Sequence, residues 1–390
     1  VAAIGAQRTQ GYGSSIFSEM SRLAVQHGAV NLGQGFPDFA GPDFVKAAAH
    51  AAIDADLNQY AISHGAPRLR RAIAATWERA WGRAIDPDAE ITVASGATEV
   101  LADAMLAFLN PGDEVIVFEP FYDAYVPTIG FAGATARPVT LRAPDWSFDP
   151  AELAAACTPR TRMILLNTPH NPTGKVFSRE ELAQIADLCI EHDLIAVTDE
   201  VYDRIVYTDT GATHLPLATL PGMWERTLTV NSTGKTFSMT GWKIGYAIGP
   251  AALNAALRTV HQFVTFATST PFQEAMAVAL ELAAENGYYE QLRAEYTARR
   301  DLLDAALRDA GLTTLPIGGS YFLLADIAPL GFADDAAFCR YLASEIGVAA
   351  IPPSAFYADP SRAPQLARFC FAKRPETIAA AAERLAALRR

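Results

Sequence analysis

Cysteine is scarce in this chain. Its 390 residues hold four, Cys157, Cys189, Cys339 and Cys370, far apart and with no C-x-x-C pair. That spacing excludes a disulfide framework and the common zinc ligand sets, and it suits a reducing cytoplasm. The seven histidines show no H-x-x-x-H or similar spacing, so no metal centre is expected. Long apolar runs are missing too: nothing approaches the roughly 18 residues of a spanning helix, which leaves no membrane partner. The first residues carry no basic cluster ahead of an apolar core, so no signal peptide is expected. Basic runs are also absent against a formal net charge of −12. An acidic surface repels phosphate backbones, so nucleic acid is not an expected partner.

Apolar residues are plentiful, at 51%, which is ample for a buried core. The length exceeds the roughly 100–200 residues of one domain, so two domains sharing a cleft are expected. No repeat or low-complexity tract appears. The middle of the chain alternates β-rich runs with amphipathic helical patterns, the signature of an α/β protein with a mostly parallel sheet.

Strands are read at Ile91–Ala94, Glu114–Phe118, Met163–Leu166, Leu194–Thr198 and Thr227–Val230, with Ile244–Ile248 running antiparallel. A helix follows from about Ala97 to Leu109, and Ser178-x-x-Glu181 opens another as a capping box. Later strands are expected at Ser320–Leu324 and Leu366–Phe371. Gly96, Tyr122, Asn171, Asp199 and Lys235 all fall just past strand carboxyl ends, where open α/β sheets bind ligands.

The sharpest local signal is Asn231-Ser-Thr-Gly-Lys-Thr-Phe-Ser-Met-Thr-Gly-Trp-Lys243. A phosphate-binding P-loop would need glycine at position 229, and Thr229 stands there inside a predicted strand. The residues fit a different reading. Ser232 can donate to a phosphate, Lys243 can add a cation, and Lys235 between them can form an imine with an aldehyde of the same ligand. Independently, a helix opening at Ala97 offers free N–H groups and a positive dipole end to an anion.

These residues resemble the cofactor-lysine motif of class I/II (fold-type I) pyridoxal 5′-phosphate (PLP) aminotransferases. Asn31-Leu-Gly-Gln-Gly-Phe-Pro-Asp38, Pro169-His-Asn-Pro-Thr-Gly174, Asp199-Glu-Val-Tyr202 and Arg368-Phe-Cys-Phe371 match in the same order. Within the family the likeness is greatest to kynurenine aminotransferase/cysteine-S-conjugate β-lyase and to actinobacterial N-succinyldiaminopimelate aminotransferase sequences. The resemblance implies a large domain over residues 41–287, with a mostly parallel seven-stranded sheet. It also implies a smaller α+β domain from residues 1–40 and 288–390.

The resemblance implies site roles as well. Lys235 is the Schiff-base lysine and proton carrier. Asp199 pairs with the pyridine nitrogen, while Tyr202 and Asn171 bond the ring's phenolic oxygen. Gly96, Ala97, Thr98, Ser232 and Lys243 hold the phosphate, and Tyr122 stacks on the ring, with Phe121 or Tyr125 as the other candidates. Arg368, Gly35 and Asn171 meet the substrate carboxylate, and Phe17 lines its side-chain pocket. Tyr60 reaches the phosphate of a partner subunit, which implies a homodimer. Lys243 departs from the arginine that many members carry and lacks its bidentate grip.

The expected activity moves the amino group of an L-amino acid to a 2-oxo acid such as 2-oxoglutarate. No second cation is evident for an acidic side chain, so an aromatic, sulfur-containing or other apolar donor is expected. N-succinyldiaminopimelate transamination and β-elimination from cysteine conjugates are the alternatives.

Overall fold

The computed structural model describes residues 5–13 and 15–389. In chain order the strands are β1 (Val30–Asn31), β2 (Ile91–Ser95), β3 (Glu114–Glu119), β4 (Thr135–Thr140), β5 (Thr161–Asn167) and β6 (Ile195–Asp199). They continue with β7 (Thr227–Ser232), β8 (Ile244–Ile248), β9 (Thr313–Thr314), β10 (Phe322–Asp326), β11 (Val348–Ala349) and β12 (Leu366–Cys370).

Seven of these form one sheet in the order β2-β8-β7-β6-β5-β3-β4. Both neighbours of β8 pair with it antiparallel, and every other pairing is parallel. The expected seven-stranded, mostly parallel sheet is therefore present. Its inner strands β3, β5 and β7 are almost wholly buried, as their apolar runs require of a helix-covered parallel sheet. Ile116, Ile164 and Ala196 pack with Leu182 and Ile185 of the helix Arg179–Glu191. Val117, Leu165 and Val197 pack with Val100 and Ala104 of the helix Ala97–Phe108.

A three-stranded antiparallel sheet, β12-β10-β9, builds a second core. Met20, Ala24 and Leu32 from the N-terminal stretch join it with Leu303, Phe338 and Ile378. β1 pairs in parallel with β11, Val30 opposite Val348, so the two ends of the chain are stitched together.

Several strands differ from their sequence readings: Met163–Leu166 extends to Thr161–Asn167, Leu194–Thr198 shifts to Ile195–Asp199, and β4 has no counterpart among the expected strands. The expected strand Ser320–Leu324 begins two residues later, at Phe322. Ser320 has φ of 61° and its N–H donates to the Ile205 carbonyl, which breaks extended geometry before the ladder starts. The Tyr321 carbonyl still accepts the Phe371 N–H at 3.0 Å, so Tyr321 sits at the very start of the β10–β12 pairing.

Candidate active site

The parallel strands β5, β6 and β7 end together, and their last residues are Asn167, Asp199 and Ser232. β8 runs the opposite way and therefore starts at the same edge, so Lys243, directly before it, lies beside them. A cavity of about 370 Å³ opens at this edge. It is lined by Lys235, Asp199, Tyr202, Gly96, Ala97, Thr98, Tyr122, Asn171, Ser232, Lys243, Arg368, Gly35 and Phe17. Tyr60 alone among the expected site residues is elsewhere: it is 82% exposed, with its ring edge-on to Phe266 at 5.2 Å.

Lys235 sits in a one-turn helix, Thr233–Thr236, immediately after β7. Ser232 caps that turn by accepting the Gly234 N–H at 3.0 Å, and Thr233 Oγ1 donates to the Ile244 carbonyl at 3.1 Å. These bonds fix the turn against β8. The lysine Nζ donates to Tyr321 Oη at 2.9 Å and to the Gly35 carbonyl at 3.4 Å. Burial lowers the ammonium from its usual range to about 8, so a neutral amine is accessible near physiological pH.

Asp199 closes β6. Its Oδ2 accepts from Tyr125 Oη at 2.7 Å, and the Asn167 side chain donates to its carbonyl at 2.8 Å. Burial pushes the carboxyl up to about 6, against the Tyr125 hydrogen bond and the Val201 N–H, which favour the anion. Asn167 also accepts the Asn171 N–H at 2.7 Å. Asn171 Oδ1 in turn accepts from Arg368 Nη1 at 2.9 Å, while Arg368 Nη2 donates to the Gly33 carbonyl at 2.8 Å. A single chain of bonds thus runs from Asp199 to Arg368.

Arg368 lies in the middle of β12, opposite Leu324. It is fully buried, with its guanidinium over Phe322 at 4.1 Å and Phe17 at 5.1 Å. Its Nε has no hydrogen-bond partner among the described residues, an orphan donor that a bound carboxylate can satisfy. Gly96 has φ of 80°, and a Cβ there would lie 3.0 Å from Lys243 Nζ. Only glycine leaves the space between that amine and the helix start open to an anion.

Among the stacking candidates, Phe121 is packed in the core and the Tyr125 hydroxyl is committed to Asp199. Tyr122 and Tyr125 both line the cavity, and Tyr122 is the one whose hydroxyl is not committed to Asp199. Tyr202 is buried, edge-on to Tyr321 at 5.1 Å. Thr229 lies inside β7, as the argument against a P-loop required.

Sequence reasoning missed the Tyr321 hydroxyl on the lysine, the pairing of Tyr125 with Asp199, and Asn167. Asn167 was within reach, because it ends a parallel strand at the same edge as Asp199. Phe36 and Phe322, which also line the cavity, were read only as parts of longer blocks.

A half-buried amine, a buried carboxylate and a helix start open to an anion, gathered at one sheet edge, define a PLP-type site. The donor set fits that cofactor: Lys235 for its aldehyde, Asp199 for its ring nitrogen, and the Gly96–Lys243 cradle for its phosphate. Residues 28–385 match the family Aminotransferase class I and II. The chain is 46% identical over 393 residues to a probable N-succinyldiaminopimelate aminotransferase of Mycobacterium tuberculosis, covering 98% of each chain. It is 41% identical to kynurenine–oxoglutarate transaminase 3 of Mus musculus, over 97% of this chain and 89% of that one. Its fold superposes on the crystal structure of an Escherichia coli methionine aminotransferase with a TM-score of 0.94 at 42% identity, covering 99% and 100% of the two chains. The chain belongs to the class I and II aminotransferases, and it is a PLP-dependent enzyme of that family.

Proposed function

We propose that this enzyme takes the amino group from L-amino acids with aromatic, sulfur-containing or other apolar side chains and delivers it to a 2-oxo acid such as 2-oxoglutarate. The observation that carries this reading is the use of the cavity's cations. Lys235, Lys243 and Arg368 are the basic residues that line it, and each already has a partner in the reading: aldehyde, phosphate and α-carboxylate. Phe17 and Phe322 flank Arg368, and Phe36 and Gln34 also line the cavity. An acidic side chain would be desolvated there without a counter-ion.

PLP, when bound, supplies an aldehyde for the substrate amine and a ring that withdraws electrons from the substrate's α-carbon. The chain's own residues do the rest. Asp199 keeps the proton on the ring nitrogen, and Tyr125 keeps Asp199 ionised. Tyr202 and Asn171 would bond the phenolic oxygen, Tyr122 would cover the ring, and Ser232, Thr98, Ala97 and Lys243 would hold the phosphate. Arg368 grips the α-carboxylate with Gly35 alongside, which fixes the direction of the Cα–H bond. Lys235, neutral above about pH 8, takes the Cα proton and returns it.

The same reading divides the chain into a large unit, residues 41–287, and a small one, residues 1–40 and 288–390. The core that joins Met20 and Leu32 to Leu303 and Ile378 supports this division, and Tyr202 and Tyr207 of the large unit pack into it. It also makes the enzyme a homodimer with Tyr60 reaching the partner's phosphate. Tyr60 (82% exposed), Phe263 (87%), Val264 (57%) and Ile62 (52%) are apolar side chains that a second copy would cover. Four free thiols support a reducing, cytoplasmic setting.

The test is a panel of amino donors with 2-oxoglutarate, beside the absorption spectrum of the parent and Lys235→Ala. Methionine, phenylalanine or kynurenine should exceed aspartate as donor, and the visible-edge band should vanish in the variant. Preference for aspartate refutes the apolar pocket. Preference for N-succinyldiaminopimelate, or pyruvate release from a cysteine conjugate without an oxo acid, selects an alternative activity.

A further inference from the structure

The helix Ala97–Phe108, whose start lies under the proposed phosphate position, contains an electrostatic conflict. Glu99 is in its first turn, one residue beyond Thr98. A carboxylate in a first turn suits the helix dipole, yet it opposes an anionic phosphate docking at the same end. The structure shows how the conflict is met. One Glu99 oxygen accepts the Ser95 N–H, and the other lies 2.8 Å from His261 Nδ1. His261 comes from the helix Ala251–Val264, is fully buried, and has its Nε2 2.7 Å from the Ser63 carbonyl.

A carboxylate and a carbonyl can only accept. Both ring nitrogens therefore donate, and His261 is an imidazolium. With no ring lone pair left free, the cluster of Glu99, Asp103 and His261 is a poor metal site despite its three potential ligands. Asp103, one turn further along the helix, has an oxygen 3.8 Å from Nδ1 and no hydrogen bond to either oxygen among the described residues. Ser63 belongs to the segment that carries Tyr60, and that segment is also tied down by Ala66 N–H to Gln273 and by Thr270 to the Gln59 carbonyl.

We propose that His261 is a positioning residue for cofactor binding: its buried imidazolium neutralises the Glu99 carboxylate that lies at the phosphate end of the helix. This rests on the reading that the Ala97 end of that helix receives the phosphate. His261 acts through Glu99 and touches neither cofactor nor substrate. In its absence a buried anion stands unscreened behind the phosphate, and the cost is specific to ligands that carry one.

The test compares the binding of PLP and of pyridoxal, which lacks the phosphate, to the full chain freed of cofactor. His261→Gln should weaken PLP on the order of tenfold and leave pyridoxal unchanged. Adding Glu99→Gln to it should restore most of the loss, because the charge that needed neutralising is gone. Equal losses for both ligands, or a deeper loss in the double variant, overturn the proposal in favour of a packing role. If His261→Gln does not fold, Glu99→Gln alone decides: it should hold PLP at least as tightly as the parent, and a selective loss overturns the proposal. Lys243→Ala separates the two readings. It must itself weaken PLP relative to pyridoxal, and if it does not, the phosphate placement fails and takes this inference with it.

Discussion

Replacing Tyr125 by phenylalanine should move the acid limb of catalysis to higher pH. The substitution keeps the ring, which is 3% exposed and packed in the core, and removes one hydroxyl. That hydroxyl donates to Asp199 Oδ2 at 2.7 Å. Burial already lifts the Asp199 carboxyl to about 6, with the Tyr125 bond among the interactions holding it down. A hydrogen bond to a charged group is worth about 1.5–3 kcal/mol, and about 1.4 kcal/mol is one pH unit. Losing it should raise the Asp199 value by roughly one to two pH units. The anion is the form that holds the ring-nitrogen proton, so activity that depends on it is lost as pH falls through the new, higher value. A bound ring cation lowers Asp199 in parent and variant alike, so the difference between the two is the quantity to read. The assay is the single-turnover rate with a saturating amino donor, measured across pH. An acid limb at the same pH in both proteins, with only the plateau altered, would refute the assignment of Tyr125 as the group that keeps Asp199 ionised.

Arg368→Lys should raise the donor KM and lower kcat/KM on the order of a hundredfold, because a point charge replaces a two-pronged grip; steady-state kinetics with the preferred donor check this. Asp103→Asn tests the buried, unbonded carboxyl beside His261. Burial first, and the Glu99 charge second, raise Asp103 from its ordinary 3.8 to about 7. A raised carboxyl favours the fold below its unfolded value and loses that contribution as pH rises through the folded value. The variant's gain in Tm over the parent should therefore be larger near pH 8 than near pH 5, by calorimetry, and a constant offset would count against it.

The chemistry was legible where one short segment contains it. Lys235 and Asp199 stand out because they end β-rich runs, and a parallel sheet gathers strand ends at one edge. Arg368 stood out as a charge inside an otherwise apolar strand. What sequence did not show depends on contacts between distant segments. Tyr125 meets Asp199 across 74 positions and Tyr321 meets Lys235 across 86. Nothing in the local pattern of either tyrosine distinguishes a hydroxyl aimed at a charge from a ring that fills core. The left-handed turn at Ser320, directly before Tyr321, is likewise held by its bond to the Ile205 carbonyl. The cluster of Glu99, Asp103 and His261 escaped notice for the same reason, since His261 joins the other two from 162 residues beyond Glu99.

The reversed course of β8 ties two tasks to one stretch of chain. Ser232 and Gly245 face each other across the β7–β8 pairing, so residues 233–244 form a closed loop with Lys235 near one end and Lys243 near the other. Gly245 is pressed against the backbone of Gly96 and Ala97, where a side chain would collide. Lengthening or shortening the loop would displace both amines together. On the roles proposed for the two lysines, protein engineers who wish to tune covalent attachment apart from anion affinity should exchange side chains at fixed loop length, because one loop carries both amines.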